Sequence, residues 1–212
     1  MKVLELFAGT RSIGKAFEEK GHQVFSVDWD KKFDNINLYI DIELLSADHI
    51  IESFGVPDII WASPDCTSYS ISAISHHRLP DGRYTPKTDY AKKSDRLNFH
   101  LWSLIDYFLK LNPNLIYFVE NPRGTYRKMW FVENRKRHTV TYCQYGDIRM
   151  KPTDIFTNHS DPKFKAPCHN GDTCHESAPR GSRTGTQGLK KVDRSRIPDE
   201  LCHHIVSIVE TH

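Results

Sequence analysis

A cysteine and a glutamate each follow an apolar run of the kind that forms a buried strand. Cys66 comes after "PDIIWASPD", and Glu120 comes after "LIYFV". Because the carboxyl ends of parallel strands meet at one edge of a sheet, we expect the thiol and the carboxyl to converge there. A buried cysteine is most often an inert small hydrophobe, but the polar neighbours of Cys66 make this turn a poor place for core filling. The pair therefore predicts a reactive site with a nucleophile.

The same edge of the predicted sheet carries features that suit an adenosine-type ligand. The first strand ends in "LFAGTRS", where Gly9 allows close backbone approach ahead of a helix. The second ends in "VDWD", where Asp28 is placed to hold ribose hydroxyls and Trp29 to lie against a flat heterocycle. Asp41, in "YIDIE", is placed to accept from an exocyclic amine. The missing G-x-G-x-x-G spacing counts against a dinucleotide and favours S-adenosylmethionine.

Length and composition are those of an ordinary globular protein. The chain has 212 residues, of which 38% are hydrophobic and 26% charged, enough for one domain with its own core. No apolar run approaches the length of a membrane span, so no membrane partner is expected. The N-terminus lacks a signal-peptide pattern and the cysteines number five, which predicts reduced thiols and a cytoplasmic location. The net charge of +2 neither proves nor excludes a nucleic-acid partner.

Apolar and amphipathic segments alternate along the first half of the chain, which predicts an α/β fold with a mostly parallel central sheet. A helical pattern spans residues 95–111, and a closing amphipathic helix follows Pro198. Residues 71–94 break this rhythm and predict a lid over the site, with a solvated loop as the alternative. Its basic side chains are expected to meet phosphates: His76, His77, Arg78, Arg83, Lys87, Lys92 and Lys93.

Four segments in this order resemble the motifs of the DNA (cytosine-5)-methyltransferases. "LELFAGTRSIGKAF" resembles the first motif, "VDWD" the second, "SPDCTSYS" the Pro-Cys nucleophile motif and "VENPRG" the Glu-Asn-Val motif. "CQYGDIRMKP" is weakly similar to the Gln-x-Arg-x-Arg motif. The resemblance covers roughly residues 1 to 150 and the C-terminal helix. It implies a Rossmann-like fold of the S-adenosylmethionine-dependent methyltransferases.

The resemblance also implies a role for each matching residue. Cys66 adds to carbon 6 of cytosine, Glu120 protonates or hydrogen-bonds the ring nitrogen, and Arg149 holds the base oxygen, with Gln144 as a further helper. The cytosine lies in duplex DNA and must be flipped out of the stack. S-adenosylmethionine is the implied cofactor. The residues expected to hold it are Phe7, Ala8, Gly9, Thr10, Asp28, Trp29, Asp41 and Pro64.

The sequence departs from the family pattern in three places. Asp65 stands where the family has proline before the nucleophile, and a neighbouring carboxylate raises a thiol pKa. "GTRSIG" lacks the usual Gly-Gly. The catalytic domain is predicted over residues 1–150 plus 193–212, which leaves only 151–192 as a short target-recognition-like insert. We therefore expect relaxed specificity, or a specificity partner or homodimer, and a compact bacteriophage-like enzyme.

The insert contains two further features. "CHNGDTCH" offers Cys168, His169, Cys174 and His175 as zinc ligands, but the spacing between the cysteines is longer than usual and neighbouring Cys-His pairs strain a tetrahedral site. A metal-free polar loop is therefore the preferred interpretation, with zinc as the alternative. "PRGSRTGTQG" is basic and is interpreted as a segment that follows a phosphate backbone, or as an exposed linker.

Other functions remain open from the sequence. An exocyclic-amine methyltransferase would need an aromatic residue at the position of Cys66 and gives Glu120 no role. A non-catalytic DNA-binding or decoy protein on a methyltransferase scaffold is suggested by Asp65 and by the small recognition segment. A tRNA substrate is a third alternative, which the sequence does not separate from DNA.

Overall fold

A single seven-stranded sheet forms the centre of the protein, whose computed structural model describes residues 1–177 and 189–211. The strands are β1 (Lys2–Leu6), β2 (Gln23–Asp28), β3 (Leu38–Tyr39), β4 (Ile59–Ala62), β5 (Ile116–Pro122), β6 (Arg137–Thr141) and β7 (Pro152–Thr157). Their order across the sheet is β3-β2-β1-β4-β5-β7-β6. β1 to β5 are parallel, and β7 is antiparallel to both of its neighbours. The predicted α/β class with a mostly parallel sheet is confirmed.

Helices cover both faces of this sheet. They are α1 (Ser12–Glu19), α2 (Ala47–Ser53), α3 (Ile74–His77), α4 (Asp89–Leu111), α5 (Lys191–Ser195) and α6 (Asp199–Glu210). Short 3-10 helices span Ile42–Leu44, Thr67–Tyr69, Tyr126–Lys128, Trp130–Val132 and Tyr142–Tyr145. No helix in the described part of the chain is both long and apolar enough to span a bilayer.

Two apolar cores result, one on each face of the sheet. α1 and α6 supply Phe17, Leu201 and Ile205 to the core on one face, beside Trp61 and Phe118 of the sheet. The core on the other face is built around α4, whose fully or almost fully buried side chains pack against the sheet: Leu101, Trp102, Leu104, Ile105 and Phe108. The sheet is therefore covered on both sides, and only its edges and strand ends are free to carry a site.

Helix α4 begins six residues earlier than the predicted start at residue 95. The Thr88 side chain accepts a hydrogen bond from the Ala91 amide and caps the helix. Lys92 and Lys93 consequently belong to α4 rather than to a loop. Their ammonium groups pair with Asp89 at 3.1 Å and with Asp41 at 2.6 Å, respectively.

The remaining part of the predicted lid is anchored through Arg78, which the sequence analysis expected to contact phosphate. Its guanidinium is fully buried, pairs with Asp95 at 2.7 Å and donates to the Ser68 carbonyl at 2.8 Å. The same group lies 4.3 Å from the centre of the Tyr69 ring. The phosphate-contact prediction for Arg78 is therefore wrong, because a buried, fully bonded guanidinium is not presented to a ligand.

The boundary at residue 150 also needs correction. Residues 152–157, predicted as the start of the insert, form β7 between β5 and β6. The sheet of the predicted catalytic domain therefore continues to Thr157, and a recognition-like insert stays a prediction only for residues beyond it. All of "PRGSRTGTQG", residues 179–188, lies outside the described residues.

Candidate active site

Cys66 and Glu120 lie at the ends of adjacent parallel strands. Ala62, the last residue of β4, pairs with Val119 of β5, so Glu120 follows directly after the last pair. The Asn121 side chain donates from Nδ2 to the Pro64 carbonyl at 3.0 Å. This hydrogen bond links the loop that contains Cys66 to β5. Asn121 Oδ1 is buried and has no hydrogen-bond partner among the described residues. A buried acceptor of this kind is available to a ligand.

The loop after β5 packs directly on the short helix that follows Cys66. Both the amide and the hydroxyl of Thr125 donate to the Tyr69 carbonyl, each at 2.9 Å. A Cβ at Gly124 would lie 2.5 Å from that carbonyl oxygen, so only glycine permits this approach. Two loops that are distant in sequence are thereby held as one wall of the site.

The thiol of Cys66 is held mainly in its neutral form. Burial, followed by the negative charges of Asp65 and Glu120, raises the pKa of Cys66 to about 11, while the charge of Lys151 opposes this. The Asp65 carboxylate is fixed in place because it accepts from the Thr67 amide at 2.8 Å and from the Tyr90 hydroxyl at 2.5 Å. The effect predicted for Asp65 on the thiol pKa is confirmed in direction.

Glu120 is a buried carboxyl suited to holding a proton. Only 5% of the residue is exposed, and burial raises its pKa, against the opposing effects of Lys151 and of the Tyr142 hydrogen bond. The Tyr142 hydroxyl donates to Oε1 of Glu120 at 2.8 Å. Tyr142 thus orients one carboxyl oxygen and leaves the other as a proton carrier.

Lys151 is a functional candidate that the sequence analysis missed. Burial lowers the pKa of its ammonium group, and the negative charges of Glu120 and Cys66 oppose that shift. The group lies 4.3 Å from the centre of the Tyr142 ring and donates to the Arg194 carbonyl at 3.2 Å. The available signal was "IRMK", whose Arg-x-Lys spacing matches the end of the Gln-x-Arg-x-Arg motif with lysine in the last position.

Arg149, which the resemblance assigned to the base oxygen, is bonded elsewhere. Its Nε donates to Asp147 at 2.9 Å, and its terminal nitrogen donates to the Arg194 carbonyl at 3.0 Å. Gln144 donates to the Cys174 sulfur at 3.5 Å. The structure thus brings Cys66, Glu120 and Lys151 together, whereas the role of Arg149 stays a prediction.

The cofactor loop is the turn between β1 and α1 that is predicted to hold S-adenosylmethionine. Asp28, the last residue of β2, holds it in place. One carboxylate oxygen of Asp28 accepts from the Gly9 amide and the other from the Asp30 amide, both at 2.8 Å. Phe7 and Gly9 both have positive φ angles, 55° and 50°. Trp29 lies beside Asp28 and is 66% exposed, an unusual exposure for a tryptophan. An exposed indole next to a hydrogen-bonded carboxylate suits a heterocycle joined to a ribose.

Glu5, a buried residue of β1 that the sequence did not single out, also stabilises this loop. Glu5 accepts from the Gly14 amide at 2.8 Å and from the Ser26 hydroxyl at 2.7 Å. A Cβ on Gly14 would overlap the Glu5 carboxylate, so glycine is required there. Arg11 has φ 57° and donates to Ser26 at 2.9 Å. Arg11 thus adopts the left-handed backbone conformation in "GTRSIG", the segment that lacks the usual Gly-Gly.

The other predicted cofactor residues lie at the same edge. The Ala8 amide donates to the Val27 carbonyl at 3.1 Å, and the hydroxyl of Thr10 lies 3.0 Å from that of Ser12. Pro64 is buried, and its carbonyl accepts the hydrogen bond from Asn121. Asp41 accepts from the Glu43 amide at 3.1 Å as well as pairing with Lys93. Its carboxylate is therefore already engaged, and a contact with an adenine amine stays a prediction.

Comparison with known proteins gives one relative along nearly the whole chain. The chain is 25% identical over 229 residues to "Probable DNA (cytosine-5)-methyltransferase" of Frog virus 3 (isolate Goorha), covering 98% of this chain and all of the relative. No family model matches the sequence.

Solved structures of methyltransferases share the fold. The Entamoeba histolytica methyltransferase EhMeth superimposes with a TM-score of 0.56 at 15% identity, covering 80% of this chain and 56% of that protein. The S. pombe Dnmt2 methyltransferase gives 0.50 at 12% identity, covering 74% and 48%. This chain therefore spans about half the length of the structures it matches. The comparisons confirm the predicted resemblance to the DNA (cytosine-5)-methyltransferases, and the solved methyltransferase structures share the predicted fold.

Proposed function

We propose that this chain methylates carbon 5 of cytosine in duplex DNA, with S-adenosylmethionine as the methyl donor and Cys66 as a covalent nucleophile. The observation that carries the proposal is the grouping of Cys66, Glu120 and Lys151 at the ends of β4, β5 and the turn before β7. The Frog virus 3 relative, whose name states this activity, supports the choice of reaction.

The donor is assigned to the loop built around Asp28. Each carboxylate oxygen of Asp28 accepts one backbone amide and keeps a lone pair for a ribose hydroxyl. The exposed face of Trp29 would hold the adenine, and the tight turn at Gly9 would let the backbone come close to the ligand. When bound, S-adenosylmethionine supplies an electrophilic methyl group on its positively charged sulfur.

The nucleophilic step belongs to Cys66. Carbon 5 of cytosine is too electron-poor to take a methyl group directly, so addition of a thiolate at carbon 6 is needed to turn the ring into an enamine-like nucleophile. The thiol must lose its proton first, and Lys151 is the cation that favours the thiolate. After methyl transfer the proton on carbon 5 is removed, the ring double bond re-forms and Cys66 is released.

The acid step belongs to Glu120. Negative charge develops on the cytosine ring as the thiolate adds, and a carboxylic acid at the ring nitrogen stabilises it. Burial raises the pKa of Glu120, so its proton is retained closer to neutral pH. Tyr142 holds the carboxyl in one orientation through its 2.8 Å hydrogen bond. Lys151 would balance the charge when the proton is given up.

A base inside a duplex cannot reach this pocket, so the target cytosine must be flipped out. The described part of the segment after β7, residues 158–177, contains no helix or strand, which supports limited base reading. Specificity is then relaxed, or it is supplied by a partner protein or by a second copy of the chain. The residues beyond Thr157 are the candidates for DNA contact.

Transfer of tritiated methyl groups tests the proposal. The full chain is incubated with labelled S-adenosylmethionine and cytosine-containing duplex DNA, and the digested nucleosides are separated. Label in 5-methylcytosine is expected for the wild type and not for Cys66→Ala. Label in an exocyclic methylamine, or transfer only to tRNA added in parallel, would contradict the proposed product or substrate.

A non-catalytic DNA-binding role is the second candidate. It is favoured by the burial of Cys66 beside the Asp65 carboxylate, which raises the thiol pKa to about 11 and keeps most of the thiol protonated near neutral pH. Cofactor and DNA binding without any transfer between pH 7 and about 10 would support this role over catalysis. Transfer that rises with pH would support the catalytic role.

A further inference from the structure

Three cysteines and one histidine converge at a place remote in sequence from the nucleophile. The Cys143, Cys168 and Cys174 sulfurs and one ring nitrogen of His175 all lie within 4.8 Å of one another. Cys143 comes from the 3-10 helix Tyr142–Tyr145, and the other three come from the segment after β7. Cys143 and Cys168 are buried, whereas Cys174 is exposed.

The separations fit a common central ion. The sulfurs of Cys143 and Cys174 are 3.6 Å apart, and His175 Nδ1 lies 3.7 Å from the sulfurs of both Cys168 and Cys174. A tetrahedral zinc ion with Zn–S bonds of about 2.3 Å keeps its sulfurs about 3.8 Å apart. The sulfurs of Cys143 and Cys168, at 3.0 Å, are closer than this and move apart slightly when an ion enters. All three cysteines are free thiols.

The structure also decides between the two histidines of "CHNGDTCH". The side chain of His169 is 90% exposed and lies 4.0 Å from Asp172. The His169 amide donates to the same carboxylate at 2.6 Å, which closes a turn between the two cysteines of the motif. His169 is not part of the cluster, and Cys143 supplies the fourth ligand instead. The irregular spacing within the motif is thus irrelevant, because one ligand comes from outside it.

Polar contacts support the ligands. The Cys168 amide donates to the Thr141 hydroxyl at 2.9 Å, and the Gln144 side chain donates to the Cys174 sulfur at 3.5 Å. Hydrogen bonds of this kind orient thiolate ligands and spread their charge. The Glu176 amide donates a hydrogen bond to the Ile148 carbonyl at 2.8 Å, which holds the segment after β7 against the turn before β7.

We propose that Cys143, Cys168, Cys174 and His175 form a structural zinc site. Thiolate and imidazole ligands in this number select zinc among the common divalent ions, and four protein ligands leave no open position for catalysis. The ion would tie the segment after β7 to the 3-10 helix Tyr142–Tyr145, at the start of the connection that carries Arg149 and Lys151. The interpretation of "CHNGDTCH" as a metal-free loop is thereby replaced.

Metal content of the full chain tests this proposal independently of any activity. The protein is expressed with added zinc, purified under reducing conditions and analysed by inductively coupled plasma mass spectrometry. About one zinc per chain is expected. His175→Ala is expected to lose most of it, whereas the matched variant His169→Ala keeps it. Reconstitution with cobalt(II) should give the absorption of a tetrahedral ion with thiolate charge transfer.

Zinc release from the wild-type protein tests the proposal without any variant, so a variant that fails to fold cannot affect the result. Treatment of the wild type with an organomercurial reagent should release zinc to a colorimetric chelator. Wild-type protein without zinc after supplementation would overturn the proposal. So would equal loss of zinc in His169→Ala and His175→Ala. An unreduced intact mass lower by two hydrogens would show a disulfide between these cysteines in place of the ion.

Discussion

Four of the five thiols lie in two contrasting environments. Cys66 is a single thiol beside a carboxyl and an ammonium group, at a strand end where a ligand can enter. Cys143, Cys168 and Cys174 instead face one another and a histidine, in a cluster with no room for a substrate between them. The difference lies in what neutralises the charge of the sulfur. At Cys66 the thiolate charge is neutralised by a proton or balanced by Lys151. In the cluster it would be neutralised by a metal ion shared by four ligands.

This contrast separates a reactive thiol from structural ones. A thiol whose charge is favoured by Lys151 rather than by a bound metal can lose its proton, attack and be released again. Thiolates bound to a closed zinc site stay ligands, because no coordination position is open. Substitutions around Cys66 should therefore leave the cysteine cluster intact.

Removal of the Cys66 thiol should have the largest effect. Cys66→Ala is expected to abolish methyl transfer, because no other described thiol lies beside Glu120. Its zinc content and its binding of S-adenosylmethionine should remain those of the wild type. Scintillation counting, metal analysis and calorimetry on one preparation check all three. Residual transfer above the background would show that Cys66 is not the nucleophile.

Glu120→Gln should come next. The amide keeps the size and can still accept from Tyr142, but it cannot deliver a proton, so transfer should fall about 10²- to 10⁴-fold. The rate constant under saturating DNA and cofactor is the quantity to measure. Glu52→Gln, an exposed position on α2, is the matched control and should have the wild-type rate.

Asp28→Ala should weaken donor binding without touching either thiol environment. It leaves the amides of Gly9 and Asp30 without their acceptor and removes the partner of the ribose. A loss of about 1–3 kcal/mol, roughly 5- to 150-fold in Kd, is expected by isothermal titration. Asp30→Ala is the control. Equal affinity in wild type and Asp28→Ala would contradict the assignment of the cofactor loop.

Lys151→Met should slow the reaction of Cys66 with iodoacetamide. The ammonium charge lowers the thiol pKa, so its loss raises that pKa and moves the pH profile of alkylation upward. A thiol pKa higher by about one reduces the thiolate fraction about tenfold at a given pH. Lys151→Arg should restore the profile. A stronger effect from Arg149→Met would show that Arg149, rather than Lys151, favours the thiolate.

Asp65→Asn should have the smallest effect, in the opposite direction. The Asp65 carboxylate is the second cause, after burial, of the raised pKa of Cys66. Its neutralisation should move the alkylation midpoint down from about 11, so that alkylation near pH 8 is faster by less than about tenfold. An unchanged or slower reaction would show that Asp65 does not repress the thiol.

Strands β1, β2, β4 and β5 were predictable from the sequence because each is a short buried run next to an amphipathic segment. β7 was not, since "PTDIFT" is short and follows directly on a motif. Its antiparallel position between β5 and β6 is a property of the whole sheet. The first six residues of α4 were not predicted, because the helix start is set by the Thr88 cap and the spacing of apolar residues does not reveal it.

For the candidate site, Cys66, Glu120 and the cofactor loop could be located because each lies at or shortly beyond the last buried residues of an apolar strand. Lys151 could not, because its position depends on the turn between β6 and β7. Three members of the cysteine cluster, Cys168, Cys174 and His175, were recognisable as possible zinc ligands, but the fourth, Cys143, was not, for a similar reason. Cys143 and Cys168 are 25 positions apart, and their approach follows from the fold of the intervening β7.

Trapping of the covalent adduct tests the central claim most directly. Duplex DNA with 5-fluorocytosine lacks the carbon-5 proton whose removal releases the enzyme, so the thioether to carbon 6 persists after methyl transfer. Incubation of the wild type with this DNA and S-adenosylmethionine should give a denaturation-resistant complex, with the modified nucleotide on the peptide that contains Cys66. Protein that binds the donor and the DNA but forms no adduct, or an adduct that maps to another residue, would contradict the proposed mechanism.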